Sequence, residues 1–344
     1  MAGLFARLFP PVVGRVQRLY SASPWRRAAV VREAVAQFLQ QMIHLLPGEH
    51  LIGLCEDYTA CSLRAMETVQ ELGKLVRLLD QLVNKIGARG VAASARVLPM
   101  VWDKILSAGA LSAGSPVVQM GVVSESARET IEVYRHFFHL LCSIGSWGCA
   151  PALLLLPPPY LDSMLAQLSC AILAPAEVEL PKFALQALAR LSQELLAGPG
   201  VEGLSLDPDA AATFAANRRY FRACLLERVL PATLQAVLRP GFNLGDAKNF
   251  ILIGEVGQFL KALCAEPFGE DATALSDAAL QAIYKGLKGH CQASPIKNGF
   301  SSAGPPTEDP IMAFCILLRE KPRFNSALKH QLRTLLAAGQ QAAF

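Results

Sequence analysis

Apolar residues recur along this chain in steps of four, three and four, and that spacing favours one fold class over the others. Such a stripe lies along one side of an α-helix, whereas a half-buried strand alternates residue by residue. Val31, Val35, Phe38, Met42 and Leu45 form one stripe, and Leu72, Leu75, Leu79 and Leu82 form another. The pattern returns in Ile131, Tyr134, Phe138 and Leu141, in Ala184, Leu188, Leu191 and Leu195, and in Leu252, Val256, Leu260 and Leu263. Breaks fall at Pro47-Gly48, Gly87 to Gly90, Gly109 to Pro116, Gly198 to Gly203 and Pro240-Gly241, where glycine and proline end helices. Roughly a dozen helices are expected.

An internal echo organises them. Arg96-Val-Leu-Pro99 followed by Ile105-Leu106 returns as Arg228-Val-Leu-Pro231 followed by Val237-Leu238, 132 positions later. That offset is three units of about 44, inside the roughly 40 to 47 residue period of two-helix HEAT and armadillo repeats. A proline one turn into such a helix is tolerated near the helix start, where its missing N–H is no loss. Pairing the stripes gives units 24–63, 65–110, 124–173, 180–239, 243–292 and 308–342. The expected fold is therefore all-α, a HEAT/ARM-type α-α superhelix or solenoid. Residues 1–23 form a basic N-terminal helix or leader, 24–292 the solenoid, 293–310 a flexible loop rich in Ser, Gly and Pro, and 311–344 a terminal helix pair.

Composition agrees with a packed protein. Of 344 residues, 52% are hydrophobic and 17% charged, far from the signature of disorder. The net charge of +4 permits an anionic partner without demanding one. Nine cysteines, Cys55, Cys61, Cys142, Cys149, Cys170, Cys224, Cys264, Cys291 and Cys315, include no CxxC, and their odd number argues against a fully paired disulfide framework. Charge or proline cuts every apolar stretch short of the roughly 18 residues a membrane span needs. Arg7, Arg15, Arg18, Arg26, Arg27 and Arg32 precede the first acid, Glu33, which is either the composition of a mitochondrial transit peptide or the solvated face of a first helix.

No catalytic constellation emerges. His136, His139 and Cys142 share a helical face but sit among Phe137, Phe138, Leu140 and Leu141 with no fourth ligand nearby, so they read as packing rather than as a metal site. Gly145-Ser146-Trp147-Gly148 lacks the G-x-S-x-G pattern of a nucleophile elbow, and no glycine-rich phosphate loop is present. Glu56-Asp57 and Glu270-Asp271 fall in turns or helix starts, where they favour the helix dipole. The chain reads as a binding protein and not an enzyme, without cofactor or metal.

Basic residues are the stronger signal. The second helix of a HEAT unit lines the concave side, and the second helices here carry Arg96 and Lys104, then Arg218, Arg219, Arg222 and Arg228, then Lys285 and Lys288, then Lys329 and Arg333. Tyr220 and Tyr284 lie among them, so stacking can accompany phosphate contacts in an RNA-binding groove.

Three stretches resemble the C-terminal part of the tRNA exportins (exportin-T type) of the importin-β, or karyopherin-β, family. They are Arg32-Glu-Ala-Val-Ala-Gln-Phe-Leu-Gln-Gln-Met-Ile-His44, Tyr134-Arg-His-Phe-Phe-His-Leu-Leu141, and Arg228-Val-Leu-Pro231 with Phe242-Asn-Leu-Gly-Asp-Ala247. The resemblance spans roughly 24 to 342 in conserved order. It implies a chain that helps enclose tRNA by shape and backbone contacts, together with Ran-GTP, and carries it past nuclear pore proteins between nucleus and cytoplasm. Shape recognition is physically reasonable, because side chains cannot read the deep, narrow A-form major groove. Family members are much longer, and the N-terminal repeats that carry their main Ran surface have no counterpart here. Two rival readings stand beside this one, a HEAT scaffold binding proteins only and a helical mitochondrial enzyme delivered by its arginine-rich leader.

Overall fold

The computed structural model describes residues 28–111, 125–174, 179–197, 206–239, 241–264, 270–292, 309–320 and 323–340, with a few helical positions between 11 and 18. Most of the expected leader 1–23, of the loop 293–310 and of the glycine-rich breaks near 112–116 and 198–203 lies outside these residues. Among the described residues all regular structure is helical and no strand occurs. The chain divides into two compact units, Met1–Ala110 with Glu125–Leu156, and Leu111–Ser124 with Pro157–Phe344. The division falls inside the stretch expected as one array.

The first unit holds α1 (Ala29–Leu45), α2 (Ile52–Ala65), α3 (Val69–Ile86), α4 (Val91–Ala108), α5 (Glu125–Ser146) and the short α6 (Pro151–Leu154). Alternate helices stack: α1 packs on α3 and α3 on α5, while α2 packs on α4 and α4 on α6. Local chemistry sets the boundaries. The Thr68 hydroxyl accepts the Glu71 N–H at 3.2 Å, and the Glu71 carboxylate accepts the Glu67 N–H at 3.0 Å, which satisfies backbone donors at the start of α3. At its end Gly87 takes a φ of 62°, a left-handed conformation that glycine adopts without a Cβ penalty. The stripe Leu72, Leu75, Leu79 and Leu82 is buried as expected. Trp102, on α4, is fully buried against Phe137 at 4.9 Å between ring centroids and edge-on to Tyr134 at 6.2 Å. The Tyr134 hydroxyl donates to the Gly109 carbonyl at 3.1 Å, so its polar end is satisfied within the core.

Two expectations need correction here. The buried side of α1 is Arg32, Val35, Leu39, Ile43 and Leu46, so the stripe is rotated from the Val31-to-Leu45 register, and Leu45 is 59% exposed. An ion pair lies on the buried side. Arg32 lies buried with a guanidinium nitrogen 2.8 Å from Glu71 on α3, and an inward Arg32 without that carboxylate would be costly. Pro99 sits in the interior of α4 and not near its start. The proline removes one backbone bond there, and its neighbours Val97, Leu98, Val101 and Trp102 are all buried, so packing holds the helix through it.

The second unit holds α7 (Pro158–Ile172), α8 (Glu179–Ala197), α9 (Pro208–Cys224), α10 (Leu230–Leu238), α11 (Ala247–Cys264), α12 (Glu270–Gln292), α13 (Pro310–Glu320) and α14 (Ser326–Gln340). The same rule applies: α8 packs on α11 and α11 on α13, while α7 packs on α10, α10 on α12 and α12 on α14. The stripes Ala184 to Leu195 and Leu252 to Leu263 are the buried faces of α8 and α11. Between α9 and α10 the helix runs unbroken through a π turn, Leu225–Val229, with the Leu230 N–H bonded five residues back to Leu225. The widened turn directly precedes Pro231, whose ring would crowd the preceding turn of a regular helix.

Two contacts fasten the last pair to α11. The buried Lys261 ammonium donates to the Leu318 carbonyl at 2.7 Å and the Arg319 carbonyl at 3.0 Å, capping the C-terminal end of α13 with positive charge. Gly257 leaves the space that the Phe324 ring fills, and a Cβ there would fall inside the ring. Gly257→Ala should therefore lower stability by about 1–3 kcal/mol through overpacking. Gly289→Ala, on α12 where a Cβ meets nothing within 4 Å, should raise it by up to about 1 kcal/mol through helix propensity. Urea unfolding of both variants checks the pair, and equal midpoints would contradict the packing at Gly257.

Candidate nucleic-acid interface

The side chains expected to face RNA fall into three situations. Arg96 and Arg228, the arginines of the internal echo, are held by acids. Arg96, on α4, clasps Glu56 of α2 with Nε 2.9 Å from one carboxylate oxygen and a terminal nitrogen on the other. The hydrogen bond to Glu56 raises the Arg96 pKa above its ordinary value. Arg228, in the π turn, donates to Asp162 of α7 at 2.9 Å and to the Tyr220 hydroxyl at 3.3 Å, while Tyr220 donates to the same carboxylate. Asp162 is held below the usual carboxylate range by the Tyr220 hydroxyl above all; burial opposes it, and Arg228 adds to the lowering. Each arginine thus reaches from a second helix to the second helix stacked beneath it, so the echoed sequence makes an echoed contact.

The Arg96 contact belongs to a wider ladder in the first unit. Arg32–Glu71, Glu33–Lys74, Glu49–Arg89 and Glu56–Arg96 join positions 39, 41, 40 and 40 residues apart. Side chains on equivalent faces of neighbouring helix pairs meet at one repeat length, so the first unit has a period near 40 instead of about 44. Around α9 and α10 in the second unit the separations are longer, 66 for Arg228–Asp162 and 69 for Gln186–Glu255, where α9, the π turn and α10 together make an extended second helix, whereas α12 and α14 meet 46 residues apart at His290 and Leu336.

Lys288 and its surroundings form a second situation. Its ammonium donates to the Tyr284 hydroxyl at 3.0 Å and lies 5.1 Å from that ring's centroid, and Tyr284 donates to Asp309 at 2.7 Å. Lys285 and Arg219 are exposed, while Lys104, Arg218 and Arg222 are half-buried.

Lys329 and Arg333, one turn apart on α14, differ from the rest. The Lys329 ammonium lies 3.6 Å from the centroid of the Phe250 ring on α11 and the Arg333 guanidinium 5.6 Å from it. Arg333 also donates to the Leu244 carbonyl at 3.3 Å. That carbonyl belongs to Phe242-Asn-Leu-Gly-Asp-Ala247, where Asn243 accepts the Gly245 N–H, Asn249 donates to the Asn243 carbonyl, and Asp246 accepts the Lys248 N–H at the start of α11. The motif is thus a tight turn that presents both the helix start and an anchor for Arg333. Phe250 escaped the sequence reading, although a signal existed: an aromatic off the Leu252-to-Leu263 stripe has no core to enter.

The histidines place plainly. His139 Nδ1 is 3.3 Å from Asp80 and His136 Nε2 is 3.3 Å from Glu132, and burial lowers the His136 pKa. Among the described residues no group of three or more His, Cys, Asp or Glu is arranged to hold a metal, and no helix is long and apolar enough to cross a membrane. Comparison with protein-family models, curated proteins and solved structures finds no match.

The Asp162 cluster supplies a pH-dependent test. A carboxylate whose folded pKa is depressed stabilises the fold above its unfolded value near 3.9 and loses that contribution as pH falls through its lower folded value. Because the ion pair is exposed, Asp162→Asn should cost only about 0.2–1 kcal/mol at pH 7, and the difference from wild type should shrink below about pH 4. Urea midpoints at pH 7 and pH 3 measure this, and a deficit unchanged with pH would refute the role given to the carboxylate charge.

Proposed function

We propose that this chain is a non-catalytic tRNA carrier of exportin-T type, each unit being a piece of a HEAT/ARM-type α-α superhelix. In this reading it binds tRNA through phosphate and shape contacts together with Ran-GTP, and it moves between nucleus and cytoplasm past nuclear pore proteins. The observation that supports it most is the stacking of first helices on first and second on second, with cross-links at one repeat length. Such stacking covers apolar faces with neighbouring repeats and leaves long rows of parallel helices, a form suited to gripping extended partners. The basic residues of the second helices, above all Lys329 and Arg333 beside Phe250, supply the charge for an anionic partner.

A protein-only scaffold is the second reading, favoured by one observation. Arg96 and Arg228 already serve Glu56 and Asp162 and have less to offer a phosphate. An electrophoretic shift with tRNA separates the two. The carrier should lose at least about ten-fold in affinity between about 50 and about 200 mM salt as counterions return to the phosphates, and Ran-GTP should tighten binding where Ran-GDP does not. Absence of tRNA binding, or binding indifferent to salt, would leave the scaffold standing.

A further inference from the structure

Phe250 is a large apolar side chain left 41% exposed, and its neighbour Ile251 is 48% exposed, at the start of α11. Its ring nonetheless has a fixed setting. The Lys329 ammonium covers it at 3.6 Å, and Arg333 flanks it while tied to the Leu244 carbonyl. Gly254 makes this possible: a Cβ there would meet Lys329 Nζ at 3.1 Å and Cε at 3.5 Å, so the bare backbone lets the lysine lie flat across α11 toward Phe250. Among the described residues neither Lys329 nor Arg333 makes an ion pair, in contrast to Arg96 and Arg228. The acid whose charge acts on Lys329 is Glu255, which itself accepts from Gln186 at 2.8 Å.

Resting on the RNA-binding reading above, we infer that Phe250, Lys329 and Arg333 form a subsite for an unpaired nucleotide, the base stacking on Phe250 and its flanking phosphates meeting the two cations. An aromatic ring capped on one face by a lysine, with an arginine beside it, leaves its other face for a base and matches a chain that alternates flat π-faces with anions, which is the repeat of a single-stranded nucleic acid. An acidic peptide would satisfy the cations and leave the open side of the ring without a planar partner. Lys329 pre-sets the ring, so little side-chain freedom remains to be lost on binding.

The test uses the full chain with a tRNA transcript and with a labelled single-stranded oligoribonucleotide of about eight nucleotides, read by fluorescence anisotropy. Phe250→Ala should weaken oligonucleotide binding on the order of ten-fold with the salt slope unchanged, because stacking is lost and no charge is removed. Phe250→Trp should keep or improve it. Lys329→Met with Arg333→Met should reduce the slope of log K against log salt by about 1.4, the value for two phosphates on a single strand. The same oligonucleotide made abasic should bind wild type and Phe250→Ala alike. Thermal melts identify a variant that fails to fold, and Phe250→Trp then carries the comparison, since losing affinity while folded contradicts stacking. Equal binding by wild type and folded Phe250→Ala would overturn the subsite and leave the tRNA reading intact. Loss of slope with no effect at Phe250 would reduce the site to a simple charged patch, and preference for an acidic peptide over RNA would replace it with a protein surface. Failure of wild type to bind any RNA would remove both.

Discussion

The described helices that carry an apolar stripe share one need, a neighbouring helix to lie over it. A buried Leu or Phe contributes about 1.5–3 kcal/mol relative to an exposed one, and the contribution exists only when a neighbouring helix lies over the stripe. First helices therefore rest on first helices and second on second: α1 on α3 on α5, and α8 on α11 on α13. Two glycines serve that requirement in different ways: Gly87 takes the left-handed turn that ends α3, and Gly257, inside α11, leaves the space that Phe324 fills. Stability in such an arrangement is shared between neighbours, so a defect at one level is felt by the adjoining one.

Charge works on top of this packing as a register device. Exposed ion pairs such as Lys74–Glu33 and Arg89–Glu49 contribute little individually. Their even spacing, close to 40 residues, means that sliding one pair past the next would separate all of them together. The Arg32–Glu71 pair does more, because Arg32 is buried and would be costly there without the half-buried carboxylate. Burial draws the Glu71 pKa upward, and the Glu67 N–H and Arg32 more than offset it, so the carboxylate stays ionised. Charge used in this way is charge withdrawn from ligands, and the cations that remain without an acid stand out by contrast.

The helices were legible because periodicity is a property of local sequence. Four of the five apolar stripes read from spacing are the buried faces, from Leu72 on α3 to Leu263 on α11. The exception, α1, shows what periodicity lacks: Val31, Phe38, Met42 and Leu45 are as apolar as Leu39 and Ile43, and spacing within α1 carries no sign that Arg32 meets Glu71, 39 residues away, on the buried side. The same limit governs the candidate site. Which of ten basic residues has an acid opposite depends on contacts between helices a repeat apart, so Arg96 and Lys329 look alike in sequence and differ in the fold. Phe250 is the reverse case, overlooked because attention to charge passes over an aromatic whose exposure depends on where α14 lies.

The π turn at Leu225–Val229 inserts one residue into what is otherwise a single long rod from Pro208 to Leu238. An α-helix advances about 100° of azimuth per residue, so everything after the turn is rephased by roughly that angle relative to everything before it. Phe214 and Phe221 before the turn and Leu234 and Val237 after it are all buried, although no single meridian of a straight α-helix joins those positions. A π turn of this kind changes the direction in which a helix presents its side chains without a loop to interrupt it.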